Sequence, residues 1–131
     1  MYRPVRLFAV LLFFVILCYS SVAESHEWTP TYFQWRTSYV EGISVATMKL
    51  RNARKDVEYY EIQVLDAEMN PLRFAANERI MYVPHLNRKT VDVYIPNNSI
   101  PQAVYICSRS KIRKDRQSKT FISSRICSKV K

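Results

Sequence analysis

The chain has 131 residues, with 20 Lys and Arg against 11 Asp and Glu, two His, three Cys and a single Gly. Once an N-terminal export segment is set aside, residues 24–131 suit one domain with a modest core and do not fit a second. Residues 24–106 hold nine cations and ten acids, whereas residues 107–131 hold nine cations and one acid, so the positive charge is a local device and not a bulk property.

Arg3 and Arg6 precede an unbroken apolar run over residues 7–19, and Ser21-Val22-Ala23 follows with small residues. This is the pattern of a secretory signal peptide over residues 1–23. Its thirteen apolar residues fall short of the roughly 20 that span a bilayer as a helix, so no transmembrane segment is expected after cleavage. Cys18 follows Leu17, where a lipobox needs a small residue, and belongs to the signal. The mature chain is therefore expected in the periplasm or outside the cell, where disulfides persist.

The first predicted strand covers residues 32–39, with Phe33, Trp35, Thr37 and Tyr39 on one face. Residues 43–50 change phase near Ala46 and Thr47, as a bulged strand does. After a turn at residues 52–56, Tyr60, Ile62 and Val64 alternate with Glu61 and Gln63. Asn70-Pro71 marks a turn, and residues 72–79 read as a helical turn. A short strand at residues 80–83 leads through a turn to Val91, Val93 and Ile95, which alternate with Asp92 and Tyr94 until Pro96. Residues 96–101 form another turn and contain the sequon Asn97-Asn98-Ser99, which matters only in a host that glycosylates. Residues 103–108 and 120–130 supply the last strands.

With Gly42 as the sole glycine, Asn, Asp and Pro must make the corners. The spacing is that of an all-β antiparallel sandwich. Its core is expected to draw on Tyr60, Ile62, Val64, Val91, Val93, Ile95, Val104 and Ile106.

Cys107 and Cys127 are the cysteines left in the mature chain, and they bracket the most basic stretch, residues 109–119. A redox pair usually sits much closer in sequence, and a zinc site needs two further ligands, whereas His26 and His85 are remote. A structural disulfide is favoured. The midpoint of the two cysteines is Gln117, inside the polar stretch, so a simple antiparallel hairpin sets them opposite one another.

The closed hairpin presents Arg109, Lys111, Arg113, Lys114, Arg116 and Lys119 as cations for a partner. An acidic protein, a polyanion or an anionic surface would feel that potential. The plainer alternative is a solvated tip. Readers of single-stranded nucleic acid interleave aromatics with their cations, and here only Ile112 interrupts before Phe121, which argues against nucleic acid. No nucleophile elbow, HExxH motif or phosphate-cradling glycine loop is present, so an enzyme, a cofactor and a metal site are not expected.

Lys49-Leu50-Arg51-Asn52, residues 60–66, and residues 87–96 leading into Tyr105-Ile106-Cys107 follow one another in a recognisable order. Through them the sequence from Ile43 to Ser128 resembles the immunoglobulin-like N-terminal domain of periplasmic pilus-assembly chaperones of the chaperone-usher pathway. One branch of that family joins its last two strands by a disulfide, as Cys107 and Cys127 would. The resemblance implies an immunoglobulin-like sandwich over residues 24–131. It also implies a grip on a subunit's terminal carboxylate by an Arg on the first strand and a Lys on the last, for which Arg36 and Lys129 stand nearest.

Those chaperones have two domains, whereas this sequence accommodates one. The expected function is thus a non-enzymatic, exported interaction module, chaperone-like in the assembly of a surface or secretion structure. It would bind a protein partner in the cell envelope by strand addition along a free edge. The alternative is an anionic ligand held by the basic hairpin.

Overall fold

The computed structural model describes residues 25–111 and 122–131. In chain order its strands are β1 (His26–Thr29), β2 (Tyr32–Phe33), β3 (Arg36–Thr37), β4 (Ile43–Asn52), β5 (Tyr59–Leu65), β6 (Ala75–Ala76), β7 (Ile80–Tyr82), β8 (Arg88–Pro96), β9 (Tyr105–Lys111) and β10 (Arg125–Val130). The first sheet runs β1-β4-β8-β6, with β3 also paired to β4, and the second runs β2-β10-β9-β5-β7. All pairings are antiparallel except β2 with β10. This is the sandwich that the period-two alternation anticipates.

Inward residues of both sheets meet in one core. Met48 and Leu50 of β4 and Val93 and Ile95 of β8 face Tyr60 and Val64 of β5 and Ile106 of β9, all essentially inaccessible to solvent. Val104, expected among them, is only half-buried because it precedes β9 at the rim. Trp28 closes the core from β1, and its indole Nε1 donates to the carbonyl of Ile106 at 2.9 Å. A buried Trp needs such a partner for its polar end.

Three sequence expectations are corrected. The segment at residues 32–39 is two short strands in different sheets, not one. Pro30 stands where the chain leaves the first sheet, β2 joins the second, and β3 returns to the first. Phe33 is therefore buried and Trp35 half-buried, whereas Thr37 and Tyr39 are exposed. The bulge near Ala46 and Thr47 is absent: β4 pairs with β8 in unbroken register from Ile43↔Pro96 to Arg51↔Arg88. The apparent phase change arises because Ile43 and Val45 face outward while Ser44 and Ala46 face inward. Residues 72–79 are not helical. They leave β5 after Leu72, add β6 to the first sheet, and return at Arg79, whose carbonyl accepts from Ile62.

Asn52 is a buried hub at the end of β4, with 0% of its surface exposed. Its Nδ2 donates to the carbonyls of Val57 and Val83 at 2.7 and 2.9 Å. Its Oδ1 accepts from the Arg54 amide and the Tyr60 hydroxyl at 2.8 and 2.6 Å. Full satisfaction is what permits a polar side chain at this depth.

Candidate functional site

The β9–β10 hairpin is fixed by its register, which pairs Cys127 with Cys107 and Arg125 with Arg109. The two cysteines form a disulfide with Cα atoms 4.0 Å apart, and Cys107 is fully buried. Backbone bonds from Ser110 to Ser124 and from Val130 to Val104 show that even-numbered residues carry the hydrogen bonds of this pair. In an antiparallel ladder the alternate residues then point their N–H and C=O away from the partner strand. Those of Lys129 and Lys131 meet β2, where both amides donate to the carbonyls of Thr31 and Phe33. Those of Arg125 and Cys127 face the outer edge, along which no strand pairs among the described residues.

The base of this hairpin is held from inside by a polar cluster. Arg54, 6% exposed, directs its guanidinium at both Asp56 carboxylate oxygens (2.9 and 2.8 Å), at Ser124 Oγ (3.1 Å) and at the Ile122 carbonyl (3.0 Å). The forked contact with Asp56 raises the Arg54 pKa further above its ordinary value and offsets the cost of burying the charge. His26 lies between two hydroxyls, with Nε2 2.8 Å from Ser108 Oγ and Nδ1 3.3 Å from Ser124 Oγ. Burial pushes the His26 pKa down to about 4, so the ring is neutral and a weak base at pH 7. Burial likewise pushes the neighbouring Tyr60 hydroxyl up to about 12. The arrangement is chemically quiet. It ties residues 122–124 to the loop after β4 and to β1, and so sets where β10 starts.

Of the cations named from sequence, Arg109 is exposed on the outer face of the second sheet, and Lys111 holds Glu61 at 3.0 Å. Arg113, Lys114, Arg116 and Lys119 lie outside the described residues, as do the signal segment and Cys18. Arg36 and Lys129 are not brought together as a pair. Arg36 donates to Thr47 Oγ1 at 2.9 Å and lines a cleft of about 290 Å³ in which the other cation is Lys131. Lys129 is not among the residues that line this cleft.

Sequence reasoning missed His26, Asn52, Arg54 and the serines. The available signal was the alternation of Ser108 and Ser110 on a strand whose other inward residue, Ile106, is apolar. Among the described residues no group of His, Cys, Asp and Glu is placed to hold a metal ion.

No protein-family model matches the sequence, and no curated protein does. Solved structures do match. The chain is similar to the Escherichia coli chaperone DraB, with a TM-score of 0.63 at 15% identity, over 82% of this chain and 53% of that one. It is also similar to the Salmonella enterica SafB chaperone, solved in complex with the SafA pilin, with a TM-score of 0.61 at 11% identity, over 85% of this chain and 55% of that one. The chain thus spans about half the length of these chaperones. At such identity the likeness establishes the fold: an immunoglobulin-like sandwich of the pilus-chaperone type.

Proposed function

We propose that the protein is an exported, non-enzymatic, chaperone-like accessory that binds a protein partner by adding the partner's extended segment to the outer edge of β10. The observation that carries this reading is the outward N–H and C=O of Arg125 and Cys127. An unpaired strand edge is a template for main-chain hydrogen bonds. This edge is also pre-organised: the disulfide pins its middle, β2 pins its end, and Arg54 pins the residues before it. Little ordering entropy then remains to be lost on binding. The likeness to SafB, which binds a pilin, supports a protein partner of this kind. The cations of residues 107–131 would speed encounter with an acidic partner.

A photo-crosslinking residue at position 125, expressed in the native envelope, tests this. It should capture one dominant partner, whereas the same residue at Lys49, exposed on the first sheet, should not. Arg125→Pro removes an outward donor without touching the β9 ladder, so it should weaken the captured complex about tenfold or more while the domain stays folded. Equal capture from both positions, or an Arg125→Pro variant that binds like wild type, rejects the reading.

A further inference from the structure

On the exposed face of the second sheet, Arg109 stands directly opposite Arg125, and both are exposed. They form a non-hydrogen-bonded pair, the kind in which side chains come closest. Like charges so placed destabilise a sheet. Glu61, next in the same row, is the carboxylate that could relieve them, but Lys111 holds it at 3.0 Å. Among the described residues neither arginine has an acidic partner.

The first sheet treats the same problem differently. There Arg51 stands opposite Arg88, and Glu27, its other neighbour in the row, pairs with Arg51 at 2.9 Å. One arginine of the first-sheet pair thus has a carboxylate partner, whereas neither arginine of the second-sheet pair has one among the described residues.

We infer that the outer face of the second sheet binds a linear acidic polysaccharide, with Arg109 and Arg125 clamping one anionic group and Lys129 meeting its neighbour. Paired guanidinium forks match the oxygens of a carboxylate or sulfate. At about 3.4 Å per residue, the arginine pair and Lys129 mark two levels roughly 14 Å apart, which suits a repeating charge better than a single ion. At the Lys111 end of the same face lies the exposed Tyr82. Aromatic faces beside cations favour sugar rings, whose axial C–H bonds stack on them. This surface is separate from the β10 backbone edge and does not depend on strand addition.

Isothermal titration of the folded protein with dextran sulfate, with neutral dextran and anionic phospholipid vesicles as further probes, tests it. Dextran sulfate should bind, neutral dextran should not, and the affinity should fall as salt screens the charges. Arg109→Glu/Arg125→Glu should weaken binding about tenfold or more, and Lys49→Glu/Arg88→Glu on the first sheet should leave it unchanged.

Arg125→Glu alone should lose affinity while its melting temperature stays level or rises, because it turns a repulsive cross-strand pair into an attractive one. An arginine with a merely structural role would lower it. Four results would overturn the inference: no dextran sulfate binding, equal loss from the first-sheet reversal, vesicles bound in preference to dextran sulfate, or loss only when Lys114 and Arg116 are reversed.

Discussion

Asn52→Asp changes one atom in the buried hub at the end of β4, and its cost follows from the bonds of that side chain. The carboxylate keeps the Arg54 amide and Tyr60 hydroxyl as donors but loses both bonds from Nδ2 to the Val57 and Val83 carbonyls. Two buried carbonyls without donors, at about 1–3 kcal/mol each, give a loss of about 2–6 kcal/mol, before any charge repulsion from the new oxygen. Against a typical total of about 5–15 kcal/mol this is a large fraction.

The substitution leaves no cavity, so packing does not confuse the result. Urea denaturation followed by tryptophan fluorescence, with Trp28 buried in the core as reporter, gives the midpoint and slope. Asn98→Asp, at an exposed position, is the control and should lie within about 0.5 kcal/mol of wild type. An Asn52→Asp variant as stable as that control would refute the assignment of Asn52 as a structural hub.

Other outcomes follow from the same structure. His26 has a folded pKa of about 4 against 6.5 unfolded, so between these values the unfolded state takes up a proton that the folded state refuses. Stability should therefore fall as pH drops from about 6.5 to 4, by at most about 3 kcal/mol; comparing urea midpoints of wild type and His26→Gln at pH 7 and 4.5 isolates this from carboxylate titration. Replacing both Cys107 and Cys127 by Ser opens a loop with a sequence separation of 20 and should cost about 3 kcal/mol, read from the same denaturation curves. Val93→Asp places an unpaired charge at a fully buried position and should unfold the domain in circular dichroism, whereas Tyr94→Asp, half-buried on the outer face, should leave it folded.

The fold was legible where burial alternates cleanly. Val91, Val93 and Ile95 in β8 and Tyr60, Ile62 and Val64 in β5 are the residues whose period of two marks them as strands, and they fill the core. The disulfide was legible because the two cysteines flank a polar stretch symmetrically. What escaped was non-local. That residues 32–39 divide between two sheets depends on the neighbours β10 and β4, which no local window contains. Asn52 and Arg54 resemble turn residues in composition and become buried only because Tyr60, Ser124 and Ile122 converge on them from distant strands. The edge of β10 left unpaired among the described residues likewise follows from strand order, not from its residue types.

The central claim, that a partner strand adds to β10, is tested most directly by hydrogen–deuterium exchange of single amides in the free protein and in the crosslink-identified complex. The amides of Arg125 and Cys127 should exchange fast when free and become strongly protected on binding, while those of Ile126 and Ser128, already bonded to β9, change little. Protection confined to other edges, with Arg125 and Cys127 exchanging as fast in the complex as alone, would contradict it.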